Sequence, residues 1–315
     1  MLIWTTQPVK AGAQERNSAV AALAVRLASI PAVTGYEQGM VDTILRLLPA
    51  AARDRAGNAR LQLGGGSAKR LLVCPLDEPG YVVGNLRQDG YLTLRRVPGR
   101  VSRLFDQQIE GQRVTIQGTR GPIPGVVAVR SIHLTRGRAA LSDTPFTVDD
   151  AYVDVGAGSS AEAVELGLRV LAPVTLAKRP HRYGDDLLAA PVAGRRTACA
   201  ALLVAVEQSR LRAKLLPPVT VAFATEQGLS ERGLATLAKA DGPFEETLII
   251  DGRPGPLGSL LQGPDADTAS RWSGLGRVER WSLPVRYSGT MVETASMEDA
   301  DRLRDALIKW IGGDE

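Results

Sequence analysis

The side chains that could do chemistry here are few, and the carboxylates come first. Asp77 and Glu78 follow the apolar run Leu71–Cys74, the pattern of a buried strand that delivers both acids to a sheet end. Asp251 closes the run Glu246–Ile250 in the same way. Strand-end carboxylates of this kind can bind a ligand's amine, or can cap backbone N–H groups in a turn. The only imidazoles among 315 residues are His133 and His181, which severely limits metal binding. His133 falls in a β-rich stretch and His181 follows Pro180 in a polar one, so both read as structural or solvated. Cys74 and Cys199 cannot build a disulfide framework, form no Cys-x-x-Cys pair and have no neighbouring histidine. They read as small buried hydrophobes, and Cys199, on an Ala-rich helix, gives no support to a cysteine hydrolase. Gly64-Gly65-Gly66-Ser67 precedes a strand and lacks a Gly-Lys-Ser/Thr ending, so it is a loop tip rather than a phosphate cradle.

Three kinds of segment must position these groups. Residues 18–48 carry apolar residues at helical spacing (Val20, Leu23, Leu27, then Met40, Val41, Ile44, Leu45, Leu48), which predicts two helices joined by a turn at Thr34–Gly35. From about 80 to 175 the period becomes two and Gly/Pro punctuation shortens the runs, which predicts a small β-barrel. One helix interrupts it, opened by Ser159 with Glu162 at capping-box spacing. After about 190 helix and strand alternate again: helix Thr197–Gln208, strand Thr220–Thr225, helix from Ser230, strands Glu246–Asp251 and Trp281–Tyr287. A final helix starts at Ser296, with Glu298 and Asp299 in its first turn and Leu303, Leu307, Trp310 and Ile311 as its buried face. The two flanking α/β pieces need each other to complete one sheet. The expected architecture is therefore a three-layer α/β/α sandwich, residues 1–79 and 186–315, with residues 80–185 inserted as a β domain.

Composition narrows the function. Lys and Arg number 38 against 34 Asp and Glu, a net charge of +4 without a basic block, and aromatics are only 4%, which argues against nucleic-acid binding. The opening residues lack a basic n-region and an apolar core, and no stretch reaches the roughly 18 apolar residues of a membrane span, so the expectation is a cytoplasmic protein.

The order of motifs resembles the tetrahedral, glutamyl and deblocking aminopeptidases, cytosolic di-zinc or di-cobalt exopeptidases that form dodecamers. The resemblance rests on Val33-Thr34-Gly35-Tyr36-Glu37, Asp54-Arg55-Ala56-Gly57-Asn58 and Pro75-Leu76-Asp77-Glu78-Pro79-Gly80. It continues through Gly121-Pro122-Ile123-Pro124-Gly125-Val126-Val127, Ile132-His133-Leu134, and Tyr152-Val153-Asp154-Val155-Gly156-Ala157 with Ser160-Ala161-Glu162-Ala163. It implies an aminopeptidase-like sandwich with a PDZ-like β-barrel that mediates dimerisation.

A two-metal hydrolase needs ligands that hold two ions about 3.5–4 Å apart around a shared water, with a carboxylate nearby to take its proton. Carried over residue by residue, the resemblance puts the first histidine ligand at Pro75, the bridging aspartate at Ala193, a glutamate ligand at Gln227 and the last histidine at Gly289. Of the ligand positions only Asp251 is kept, while Glu226 keeps the general-base position and Arg195 the arginine of the Asp-Asp-Arg motif. Three carboxylates, Asp77, Glu226 and Asp251, would then repel one another, unless one has a raised pKa or Arg195 supplies the missing charge. No dinuclear metal site is expected, and at most a single weakly held Mg²⁺ or Ca²⁺. The leading expectation is a catalytically silent homologue, in a homo-oligomer or paired with an active paralogue. The alternatives are a hydrolase with a divergent or mononuclear site built around Glu226 and Asp77, and a module that holds a peptide or amino acid in the old cleft through Asp77, Glu226 and Asp251, with Gln227 and Arg195 as further cleft candidates.

Overall fold

The computed structural model describes residues 18–98, 103–128, 146–211 and 215–313. The expected His133 and Ile132–Leu134 motif lies outside them. The chain opens with helices α1 (Ala19–Ala28) and α2 (Gln38–Leu47), then strands β1 (Ala52–Arg53), β2 (Ala59–Leu63) and β3 (Arg70–Pro75). Ser18 starts α1 by accepting a hydrogen bond from the Ala21 N–H at 3.1 Å.

Six strands then close into a barrel: β4 (Gly80–Leu86), β5 (Leu92–Val97), β6 (Arg113–Gly118), β7 (Gly121–Val127), β8 (Tyr152–Asp154) and β9 (Pro173–Leu176). Alternation fills its interior with Tyr81, Val83, Leu92, Leu94, Val114, Ile116, Val153 and Val174. Helix α3 (Ser160–Glu165) interrupts the barrel as expected. Its cap is only half a capping box: the Ser159 hydroxyl accepts from the Glu162 N–H, but the Glu162 carboxylate takes the Gly158 N–H.

The remainder is β10 (His181–Tyr183), β11 (Leu187–Ala189), α4 (Ala193–Arg210), β12 (Val219–Ala224), α5 (Arg232–Asp241), β13 (Glu246–Pro254), β14 (Leu261–Pro264), α6 (Ala266–Arg271), β15 (Arg277–Arg286), β16 (Thr294–Ser296) and α7 (Met297–Gly312). One sheet runs β1-β2-β12-β3-β13-β15-β16-β11-β10, with β14 on β15. At its centre β12, β3, β13 and β15 are parallel, so their C-terminal ends gather at one edge of the sheet. Their residues alternate between two cores: Leu72, Cys74, Leu248 and Ile250 face α1, α4 and α7, while Leu71, Val73 and Ile249 face α5. Two apolar layers, one on each face, make the three-layer sandwich. Helix α7 is capped by Ser296, whose hydroxyl accepts from the Asp299 N–H, and ends at Gly313 with φ of +82°.

The reading of the two cysteines needs correcting. Both are buried as expected, yet Cys74 on β3 and Cys199 on α4 are joined in a disulfide across 125 residues of sequence. The parallel sheet brings the strand against the central helix, a proximity that sequence spacing does not report. Among the described residues no helix is long and apolar enough to cross a membrane.

Candidate functional site

The C-terminal edge of the parallel strands is where side chains from different connections converge, the usual place for a site in such sheets. Asp77 follows β3, Asp251 lies within β13, and Arg195 sits in the first turn of α4. The structure brings these three together. Arg195 Nε and Nη2 donate to the two oxygens of Asp251 at 2.9 and 2.8 Å, a bidentate pair, and Nη1 donates to Asp77 Oδ1 at 2.9 Å and to its backbone carbonyl at 2.7 Å. The other oxygen of Asp77 accepts from the Thr34 hydroxyl and the Gly228 N–H, both at 2.7 Å. Burial alone would push Arg195 toward neutrality, but the facing Asp251 and Asp77 carboxylates raise its pKa and hold it charged. Burial would raise Asp251 too; Arg195, with help from Arg280, instead keeps it below the usual carboxylate range.

Two glycines make that reach possible. A Cβ built on Gly252 would lie 2.7 Å from the Gly194 Cα and 3.1 Å from the Arg195 nitrogen, so the start of α4 touches the β13 backbone directly. Gly252→Ala should separate them and cost about 1–3 kcal/mol in urea unfolding, since backbone atoms cannot move aside as a flexible side chain can. Unchanged stability would refute this close approach. Glu293 completes the helix start: its carboxylate accepts from the Gly194 N–H at 3.0 Å and the Gly289 N–H at 3.1 Å, and burial raises its pKa.

Glu226 and Gln227 turn elsewhere. Glu226 sits at φ +55°, and its buried Oε2 lies 3.0 Å from Arg232 Nη1 without making a hydrogen bond. The Gln227 amide donates to Glu231 Oε1 at 2.9 Å, and Glu231 in turn holds Trp272 Nε1 at 2.8 Å. The loop carrying both has left-handed non-glycine residues at Glu226, Ser230 and Glu231, and two sequence motifs hold it. In the first, Asn58 accepts from the Thr225 N–H at 2.9 Å while its amide donates to Asp54 and the Gly233 carbonyl. In the second, Glu37 Oε1 accepts from the Glu226 N–H at 2.9 Å and the Gly35 N–H at 3.0 Å. Of the remaining family positions, Pro75 ends β3, Ala193 opens α4 fully buried, and Gly289 lies in a loop whose carbonyl accepts from the Gln108 amide of the barrel side. His181 is an exposed β10 residue stacked on Tyr183.

Three features of this region escaped the sequence reading. Glu37 was visible only as part of a motif, and Glu293 carries no motif at all. The third is a buried triad in which Glu78 pairs with Arg196 and with Lys178, anchoring the segment after the barrel to α4. Burial would raise Glu78, but Lys178 and Arg196 lower it; Lys178 and Arg196 are both lowered, chiefly by burial.

Burial pushes the Glu37 carboxyl up to about 7, against the backbone donors of Glu226 and Gly35, with Asp77 adding to the rise. Its folded pKa lies above its unfolded value. Its contribution is therefore fully present below about pH 4.5 and lost as pH rises to about 7. Glu37→Gln keeps the acceptor and removes the titration, so it should stabilise the fold by about 1–3 kcal/mol at pH 8 and by almost nothing at pH 4, read by urea unfolding at both. A gain of the same size at both would contradict the assignment.

A cleft of about 770 Å³ opens beside Asp251, walled by Arg253, Gln262, Asp265 and Arg280. Asp265 N-caps α6 and is gripped by Arg280 at 2.6 Å, so the junction of β14 and α6 forms part of this wall. Among the described residues no group of three or more His, Cys, Asp or Glu side chains is placed to hold a metal ion.

Comparison with known proteins agrees with the architecture. The sequence profile of the M42 glutamyl aminopeptidases matches residues 57–239. SgcX of Escherichia coli (strain K12) is 31% identical over 179 residues, 55% of this chain and 46% of its own length. Lysyl aminopeptidase of Pyrococcus furiosus is 30% identical over 183 residues, 56% of this chain and 51% of its own. The chain thus spans about half the length of the curated relatives it matches. Among solved structures, the TET1 peptidase of Pyrococcus horikoshii, described as assembling into a tetrahedron or a large octahedral shell, superposes with a TM-score of 0.81 at 20% identity, covering 93% of this chain and 99% of that one. At that identity the likeness speaks for the fold.

Proposed function

Because the chain belongs to the M42 glutamyl aminopeptidase family, we propose that it is a catalytically silent homologue, serving as a structural or regulatory subunit of an oligomer. The observation that carries this reading is the Arg195 guanidinium lying between Asp77 and Asp251. A pair of divalent cations needs anionic and imidazole donors around it. Pro75, Ala193 and Gly289 offer no side-chain donor, Gln227 is an amide bound to Glu231, and the two facing carboxylates already have a buried cation as their counter-ion. These residues do not fit a dinuclear centre. Glu226 keeps the place of a general base, but without ligands for metal-bound water it has no activated nucleophile to deprotonate.

Dialysis against Zn²⁺, Co²⁺ and Mn²⁺, followed by elemental analysis, should leave less than one ion per chain. Two retained ions per chain would overturn the reading. The oligomer part draws on the shells described for the TET1 structure. Native mass spectrometry checks it, alone and with an intact homologue, and a strict monomer in both would sink it.

A second reading is favoured by the 770 Å³ cleft, which falls in the size range of small-molecule sites and has Asp251 on its wall. In that case the protein holds a peptide or amino acid there. A ligand at ~100 times its Kd would add roughly 2.7 kcal/mol to stability, so a thermal-shift screen of peptides and amino acids with no positive would eliminate it.

A further inference from the structure

A groove of about 550 Å³ runs between the barrel and residues Thr290, Met291 and Val292. Its barrel wall carries Arg113, Arg179 and Gln112, and none of the described residues lining it is acidic. Register explains the pairing of the arginines. The Ala177 N–H donates to the Arg113 carbonyl at 3.0 Å, extending the β6–β9 ladder by one residue, and Arg179, in the segment that follows β9, lines the same groove. Neither guanidinium has an ion-pair partner among the described residues, although most arginines near the Asp77 site do. The facing wall is fixed: the Gln108 amide donates to the Gly289 carbonyl at 3.2 Å, and its oxygen accepts from the Met291 N–H at 2.6 Å. Where the groove meets the sandwich it adjoins a recess of about 40 Å³, which shares Leu176, Thr290 and Met291 with it. That recess is lined by Thr175 and by the paired Glu78 and Lys178, so the groove and not the recess is the open site.

We propose that this groove binds a small organic or inorganic anion, with Arg113 and Arg179 clasping a carboxylate or phosphate group while Met291 and Val292 cover its apolar part. Two unpaired guanidiniums on one preformed cavity without an acidic lining residue are what planar oxyanion recognition uses. This site is separate from the Asp77–Arg195–Asp251 cluster and stands whether or not that cluster is silent.

Calorimetric titration of the full chain with N-acetyl-Glu-Glu, with inorganic phosphate and with N-acetyl-Lys-Lys-amide tests it. The blocked amine keeps the acidic dipeptide from using Asp77 or Asp251. The expected result is binding of at least one anion, weakened by salt, with no binding of the cationic peptide. Affinity should fall at least about tenfold in R113Q/R179Q and stay unchanged in the charge-matched R120Q/R169Q, all four side chains being exposed. Preference for the dipeptide identifies a carboxylate source and preference for phosphate the other. No anion binding, or the same affinity in R113Q/R179Q as in the wild type, would overturn the site.

Discussion

Arg195→Met should destabilise the fold by about 3–5 kcal/mol at pH 7, measured by urea unfolding, because it takes their shared counter-ion from Asp77 and Asp251. Asp77 is 1% exposed, so water cannot substitute for the lost charge there, and Asp251 keeps only the more distant Arg280 at 3.9 Å. The pH dependence distinguishes this from simple loss of packing. In the wild type the Asp251 pKa is held down. Its contribution is present above the unfolded value of about 3.9 and fades only as pH falls through the folded one. In the variant the Asp251 carboxyl, left with Arg280 alone, should rise instead, so the deficit relative to wild type should shrink on acidification as protonation removes the uncompensated charge. Adding Asp251→Asn should recover part of the loss at pH 7 for the same reason. A deficit that is constant with pH would mean that Arg195 contributes as packing and not as counter-ion.

The second large effect is expected from the bridge between β3 and α4. Cys74→Ala/Cys199→Ala should cost about 2–5 kcal/mol, since a cross-link over 125 residues removes much chain entropy from the unfolded state. The two elements it joins are those that carry Asp77 and Arg195, so the bridge and the guanidinium clamp fasten the same junction, and their losses should not be additive. Reductant under unfolding conditions should lower wild-type stability toward that of the double variant and leave the variant unaffected. Two free thiols in the freshly unfolded wild-type chain, with no response to reductant, would contradict the bridge.

The sequence pattern carries most of the fold because its signals are local. Ser296 with Glu298 and Asp299, and the period of two in Arg113–Gln117, predict elements from residues within a few positions of one another. The insertion is legible because period two interrupts an α/β alternation that resumes afterwards. Asp77, Arg195 and Asp251 are legible as a cluster only because a family resemblance places them in one motif set; spacings of 118 and 56 residues carry no such message. The roles of Thr34 and Asn58 follow the same logic. Each sits in a recognisable motif, but what it holds, Asp77 in one case and the Glu226 loop in the other, becomes visible only through crossovers of the sheet. Glu37 is legible only as the end of a motif and Glu293 not at all, because the defining property of both is burial against backbone N–H groups contributed by distant segments. Cys74 and Cys199 fail for a related reason: burial was readable from their apolar surroundings, partnership was not.

A catalytically silent homologue, as proposed, keeps the fold of its family without the catalysis. The most direct measurement is hydrolysis of an aminoacyl-p-nitroanilide panel by the purified full chain with Zn²⁺, Co²⁺ and Mn²⁺ in turn, alongside Glu226→Gln. The result predicted is a rate indistinguishable from buffer with every metal and identical in both proteins. Metal-stimulated turnover that Glu226→Gln abolishes would contradict it and make this chain a working aminopeptidase.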